Sequence, residues 1–217
     1  LIGFKKTELE SIKVAQKEKE ELIKELMNSE SAFKVQIEEK QKKRKKLEDE
    51  IRKIIEEEIA KNKANKNRYN LTPESKIISS NFEKNKGTLS WPLQRGVIVG
   101  RYGSQKHPFL PGVEIFNNGI DIATEKNTDV RAVFDGIVSR IFFVKGEGKA
   151  VLINHGEYFT VYSGLKEVVV KTGEKLFSKE KIGVLITSQD ESKTELHFEI
   201  WKGYEKQDPS IWLYKAN

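Results

Sequence analysis

The sequence predicts an α+β protein with a long N-terminal coiled-coil helix, a short connector helix and a mostly antiparallel all-β domain. Two observations separate these parts. Residues 1–86 contain one glycine, Gly3, and one proline, Pro73. All aromatic residues except Phe4 and Phe33 lie from Tyr69 onward. Because turns and strands favour these residue types and long helices do not, we predict a rod over 1–61, a hinge and connector over 62–90, and a β domain over 91–217.

The first element is predicted to be a coiled coil. Residues 4–61 contain neither glycine nor proline, and apolar residues recur in an unbroken seven-residue frame. The apolar seam residues are Ile2, Leu9, Ile23, Ile37 and Ile51 at one position, and Ile12, Leu26, Phe33, Leu47 and Ile54 three residues further on. A lone helix cannot bury this stripe, so we expect a dimerisation rod, or an arm that docks a partner or pairs with another helix. Polar seam residues, among them Lys40 and Arg44, are expected to fix register and partner choice.

The connector is predicted to contain one short helix. Residues 62–70 are rich in Asn and Lys and predict a hinge, and Thr72-Pro73-Glu74 then has the pattern of a helix start, with Thr72 as N-cap. We expect the helix to end at about residue 82. Its apolar face should lie against the β domain and consists of Leu71, Ile77, Ile78 and Phe82.

The β domain is predicted from short β-branched and aromatic runs separated by Gly, Asn and Asp. We expect strands over 97–101, 119–123, 130–144, 150–154, 158–162, 168–170, 181–186 and 195–202. The long run from 130 to 144 contains Asp135-Gly136, which favours a turn, so we expect it to divide in two.

Composition excludes several classes of function. The chain has 33% charged residues, a net charge of +6 and no cysteine, which excludes disulfides, thiolate catalysis and cysteine-ligated zinc. No uncharged stretch exceeds eight residues, so we expect no membrane insertion. The one basic run, residues 42–46, is interpreted as the solvated side of a helix, not as a nucleic-acid site. The first residues do not form a basic-then-apolar leader, and the compartment is not predicted from them.

A series of short motifs in the β domain resembles the lysostaphin/LytM-type zinc endopeptidase domain over nearly all of residues 91–217. The motifs are Trp91-Pro92, Tyr102-Gly103, His107-Pro108, Asn117-Asn118-Gly119-Ile120-Asp121, Asp135-Gly136, Asn154-His155-Gly156, Thr160-Val161-Tyr162, Ile182-Gly183 and Leu196-His197-Phe198-Glu199.

The resemblance implies three zinc-ligand positions, which in this sequence hold Asn117, Asp121 and His197, and two catalysis-assisting positions, which hold Gly164 and Glu195. Active relatives have histidine at the first ligand position and at both assisting positions. A neutral carboxamide oxygen is a weak donor to zinc. We therefore expect no stably bound zinc, no cofactor and no peptide hydrolysis, with Asp121 and His197 persisting as a hydrogen-bonded pair.

The whole pattern, including Leu71-Thr72-Pro73-Glu74 in the connector, resembles the EnvC family of murein hydrolase activators. The resemblance implies a periplasmic, non-catalytic protein of cell division. Its coiled coil would engage the FtsX subunit of the FtsEX transporter, and its metal-free groove would bind a helix of an N-acetylmuramoyl-L-alanine amidase. The expected groove residues are Asn117, Asn118, Asp121, Glu147, Tyr162, Glu195, His197 and Trp201, with Tyr162 and Trp201 as hot spots.

Three questions stay open at this point. The segment from 73 to 82 could restrain the groove, as a helix does in that family, or could brace the back of the domain. A zinc endopeptidase with a reduced ligand set is one alternative function. A passive cell-wall-binding scaffold is the other.

Overall fold

The computed structural model of the protein describes residues 31–60, 73–106, 112–144, 148–188 and 193–216. Residues 31–60 are helical throughout and are named α1, and a second helix, α2, spans Pro73–Lys84. Twelve strands and a short 3-10 helix, Pro209–Ile211, follow. The predicted fold class of a long helix, a short helix and a mostly antiparallel sheet is confirmed. Thr72 and the first 30 residues of the predicted seam lie outside the described residues.

The strands alternate with short turns along the β domain. Their bounds are β1 Val97–Gly100, β2 Gly103–Lys106, β3 Glu114–Asn117, β4 Ile120–Ala123, β5 Asp129–Arg131, β6 Gly136–Val144, β7 Gly148–Asn154, β8 Tyr158–Val168, β9 Lys175–Leu176, β10 Lys181–Leu185, β11 Glu195–Lys202 and β12 Glu205–Gln207. The predicted run from 130 to 144 divides at Asp135, as expected. No separate strand forms over 168–170, because β8 continues to Val168.

Ten strands form one sheet, whose main path runs β1-β4-β11-β8-β7-β6-β9. Strand β10 pairs with β5 and β8, β12 pairs with β11, and β2 and β3 form a separate hairpin. All of these strand pairs are antiparallel. Among the described residues, no helix is both long enough and apolar enough to cross a membrane.

Side chains alternate between the two faces of a strand, so the sheet carries two separate apolar clusters. The larger one, the main core, lies on the face of the sheet away from α1 and includes Ile122, Tyr162 and Phe198. The smaller one, the α1 cluster, joins α1 to the opposite face of β7, β8 and β11. It consists of Leu47, Ile51, Ile54 and Ile55 from α1, with Val144, Ala150, Leu152, Phe159, Val161 and Trp201 from the sheet.

Helix α2 braces the main core. Phe82 is fully buried and stacks on the rings of His155 and Tyr158, with centroids 4.9 Å away in both cases. Its ring also lies 5.2 Å from that of Trp212. The predicted apolar face of this helix is wrong at Ile77, which is 61% exposed because only the turns around Ser79 and Phe82 reach the sheet.

The coiled-coil stripe of α1 is partly buried by the chain itself. Seam residues Leu47, Ile51 and Ile54 are at most 6% exposed, and all three belong to the α1 cluster. Over this part of the helix, the expectation that a second helix covers the stripe is wrong, because the β domain covers it. This contact joins residues 47–55 to residues 144–201, far apart in the chain, and has no local sequence signal.

Candidate functional site

The predicted ligand positions meet where β4 and β11 pair. Asp121 lies directly opposite His197 in this antiparallel register, and His197 also lies opposite Ser163 of β8. Because alternate residues share a face, Glu195, His197, Glu199 and Trp201 all point to the side of the sheet that faces α1. Gly119 lets the chain enter β4 against β11, since a Cβ there would lie 2.1 Å from the carbonyl oxygen of Phe198.

His197 is held by two carboxylates. Its Nδ1 donates to Asp121 Oδ1 at 2.7 Å and its Nε2 donates to Glu199 Oε1 at 2.8 Å. Glu199 is 1% exposed and also accepts from Trp201 Nε1 at 2.7 Å. Burial alone would lower the pKa of His197, but the hydrogen bonds and charges of Asp121 and Glu199 raise it to about 9. His197 is therefore an imidazolium at neutral pH.

Arg44 of α1 completes the site. Its guanidinium Nη2 donates to Asp121 Oδ2 at 2.6 Å, and both side chains are only 12–13% exposed. The same carboxylate oxygen accepts from Asn117 Nδ2 at 3.1 Å. Burial would raise the pKa of Asp121, but the hydrogen bond to His197 and the charges of His197 and Arg44 hold it well below its usual value. Asp121 is thus a carboxylate bound by an arginine, an imidazolium and an amide.

A second polar contact lies one turn further along α1. Glu48 accepts from Lys206 Nζ at 2.6 Å and from Asn118 Nδ2 at 3.1 Å. Lys206 also donates to Asn118 Oδ1 at 2.8 Å. Burial would raise the pKa of Glu48, and the bonds to Lys206 and Asn118 lower it. The covering helix is therefore held by these two charged contacts, by an ion pair of Glu57 with Arg140 Nη2 at 2.6 Å, and by the α1 cluster.

The structure separates the predicted groove residues into three groups. Asn117, Asn118, Asp121, Glu195 and His197 lie together on the face toward α1. Trp201 lies on this face too but is fully buried under α1, in the α1 cluster. Tyr162 lies in the main core on the other face, where its hydroxyl accepts from Val133 N–H at 3.0 Å, so it does not line the surface. Glu147 lies outside the described residues.

Gly164 fits its position because of its backbone. Its φ is +94°, and a Cβ there would approach the carbonyl oxygen of Glu195 to 2.9 Å. A histidine at this position would therefore be strained in the present backbone. The other assisting position, Glu195, is half-exposed at the start of β11.

A cavity of about 740 Å³ opens beside Arg44, between α1 and the sheet. It is lined by Asp121, His197, Glu195 and Ser163, with Lys40 and Lys193 at its charged side. Ser163 Oγ is buried and, among the described residues, has no hydrogen-bond partner. This cavity is the part of the predicted groove that α1 leaves open.

Sequence reasoning missed Arg44, Glu48, Glu199 and Lys206 as site residues. The sequence pattern could have indicated Arg44, because this residue interrupts the apolar seam. It could also have indicated Glu199, because this residue shares a strand face with His197. No such pattern indicates Glu48 and Lys206, since their contact depends on how α1 crosses the sheet.

Part of the β domain is similar in sequence to known proteins. Residues 115–209 match the family model described as peptidase family M23. Over these residues the chain is similar to that family. The chain is 29% identical over 129 residues to the murein hydrolase activator EnvC of Escherichia coli, and it is 27% identical over 134 residues to the peptidoglycan DD-endopeptidase ShyC of Vibrio cholerae.

These alignments cover 59% and 60% of this chain but only 29% and 31% of the two relatives, so the chain spans less than a third of their length. Among solved structures, Helicobacter pylori Csd3 has a TM-score of 0.50 at 22% identity, over 60% of this chain and 36% of that one. This likeness shows the fold of the β domain.

The side chains at the three predicted zinc-ligand positions, Asn117, Asp121 and His197, do not fit zinc. Hydrolytic zinc takes three protein ligands. Here Asn117 offers a neutral amide whose nitrogen faces Asp121, and each ring nitrogen of His197 is hydrogen-bonded to a carboxylate, of Asp121 or Glu199. In the described part of the chain, no group of three or more His, Asp or Glu side chains is arranged to hold a metal ion.

Proposed function

We propose that the protein is a non-catalytic activator of a peptidoglycan amidase, and that α1 covers the surface on which the amidase binds. One observation supports this proposal: Asp121 and His197, at two of the predicted zinc-ligand positions, form an arginine–carboxylate–imidazolium cluster with Arg44. In this arrangement Asp121 and His197 bind each other and Arg44 instead of a metal. The site therefore has the character of a protein-binding surface.

The murein hydrolase activator of E. coli supports the amidase as the partner, since it is similar over the β domain. Activators of this kind act in the periplasm during cell division, and we propose the same compartment here, with N-acetylmuramoyl-L-alanine amidase as the enzyme that cleaves peptidoglycan. Coupling to the FtsX subunit of the FtsEX transporter would act through the N-terminal helix.

The covering helix differs from the one considered from sequence. Residues 73–82 belong to α2, whose Phe82 is built into the main core, and this favours a brace. Helix α1 instead lies directly over Asp121 and Trp201. A pull on the N-terminal helix would thus act on the segment that covers the groove.

An amidase assay with charge-reversed chains tests the proposal. We expect the chain to raise dye release from labelled murein by a zinc amidase, and to release none by itself. Arg44→Glu places two carboxylates together and frees the surface, so about five- to 150-fold less protein should give the same activation, as expected for a coupling of 1–3 kcal/mol. Lys43→Glu is the matched control, because it makes the same charge change at an exposed position of α1.

Two results would contradict the proposal. Dye release by the chain alone, together with one zinc per chain in metal analysis, would establish the endopeptidase alternative, which the likeness to ShyC keeps relevant. Co-sedimentation with sacculi and no effect on any amidase would establish the cell-wall scaffold.

A further inference from the structure

The surface under α1 consists of three chemically different regions, which follow one another along the helix. At one end lies Asp121, and at the other lies the apolar patch of Leu152, Phe159, Val161 and Trp201. Between them stand Lys206 and Asn118. Helix α1 contacts these regions with Arg44, Leu47, Glu48 and Ile51, followed by Ile54 and Ile55.

The acidic end requires a cation from whatever lies on it. Asp121 and Glu199 are two carboxylates that share a single histidine, His197. Arg44 supplies the remaining positive charge. The side chains of Arg44 and Asp121 are only 12% and 13% exposed. A buried carboxylate without a partner weakens binding, so an occupant without a cation here is selected against.

The apolar end requires branched side chains on one helical face. Leu47, Ile51 and Ile55 are at most 1% exposed and are spaced four residues apart, and Ile54 adds a fourth buried contact. Positions i, i+4 and i+8 lie on one side of a helix, so this is an ordinary amphipathic stripe. It sits on a fixed sheet face centred on Trp201.

We propose that α1 is an internal imitation of the partner segment, so that this surface takes a partner helix carrying the same code. The code begins with an arginine or lysine opposite Asp121. Four positions after this cation comes an acidic residue that faces Lys206. Branched apolar residues follow the cation at three, seven, ten and eleven positions. The proposal rests on the proposed function, because it names the chemistry of the amidase helix that the groove binds.

A peptide experiment tests the code on the full chain. A fluorescent peptide with the sequence of residues 38–60 is titrated with the Arg44→Glu chain, in which α1 is weakened, since a tethered α1 acts at millimolar effective concentration and would exclude the free peptide. We expect saturable binding by anisotropy. A peptide carrying Arg44→Glu should bind more than about tenfold more weakly. A peptide carrying Lys43→Glu should bind like the unchanged peptide.

The chain supplies the reciprocal test through Asp121→Asn, which keeps the shape of the side chain and removes its charge. We expect this second change to abolish the preference for the arginine peptide, and circular dichroism and thermal melting establish that both chains are folded. Equal affinity for the arginine and glutamate peptides on the unchanged Asp121 surface would overturn the proposal, as would no binding at 1 mM peptide. Dimerisation of the Arg44→Glu chain through exchanged α1 helices, seen by sedimentation, would show that a second copy is the occupant and would also overturn it.

The two proposals fail separately. If the peptides bind in the expected order but no amidase is activated, the activator function is wrong and the code stands. If the Asp121→Asn change leaves amidase activation by the Arg44→Glu chain unaltered, the activator function stands and the code is wrong.

Discussion

The two described histidines show how environment sets the charge of one residue type. His197 has a carboxylate at each ring nitrogen, and its pKa rises to about 9. His155 lies in the main core, where Nδ1 donates to the carbonyl oxygen of Asp135 at 2.6 Å and Nε2 lies 2.8 Å from Thr160 Oγ1. A carbonyl accepts only, so Nδ1 carries a proton, and burial lowers the pKa of His155 to about 4, so Nε2 carries none at neutral pH. His155 is a neutral structural residue.

Acid should therefore destabilise the fold through His155. Burial lowers its pKa from 6.5 to about 4, so the unfolded chain binds this proton first as the pH falls. Stability is fully present above pH 6.5 and about 3 kcal/mol is lost as the pH falls to 4. We expect urea unfolding at pH 7, 5.5 and 4 to show this loss, and the His155→Gln chain to show a pH dependence smaller by about the same amount. Parallel pH profiles for the two chains would show that His155 does not titrate on unfolding.

At the scale of elements, Phe82 is the residue of α2 that belongs to the main core. Phe82→Ala removes a buried ring that contacts four other aromatic rings, and should lower the free energy of unfolding by about 3–5 kcal/mol. Ile77→Ala, on the same helix but exposed, should change it by less than about 0.5 kcal/mol. Urea denaturation of the two chains measures both. Similar values would mean that α2 does not brace the core through Phe82.

The sequence predicted those elements whose side-chain pattern is local. Strand β11 was predicted with its observed bounds, because apolar and polar residues alternate along it and its two faces differ. Strands β2 and β12 were missed, since Gly103–Lys106 and Glu205–Gln207 have almost no apolar residues and are strands because a neighbour pairs with them. Tyr162 was assigned to the wrong face, and the contact of Arg44 with Asp121 was not foreseen. The face of Tyr162 and the contact of Arg44 both depend on which side of the sheet α1 packs against. A strand or heptad pattern in the sequence does not specify that side.

For the whole molecule, the two apolar clusters are separate, so we expect the fold to persist when α1 leaves the sheet. The main core contains no residue of α1, and α2 stays attached to it through Phe82. Helix α1 is held by its own apolar cluster and by ion pairs of Arg44, Glu48 and Glu57 with the sheet. Covered and uncovered forms can therefore differ in the position of one helix alone.

A distance measurement between α1 and the sheet should detect these two forms. The chain has no cysteine, so spin labels can be placed at Lys45→Cys and Lys175→Cys, both exposed, without competing sites. We expect one narrow distance distribution in the parent chain. Arg44→Glu should add a longer, broader component, because each 1.4 kcal/mol lost from the docked form raises the undocked fraction about tenfold relative to it. Lys43→Glu should leave the distribution unchanged. An unchanged distribution for Arg44→Glu would mean that the α1 cluster alone holds the helix, and a release route through Asp121 would then be ruled out.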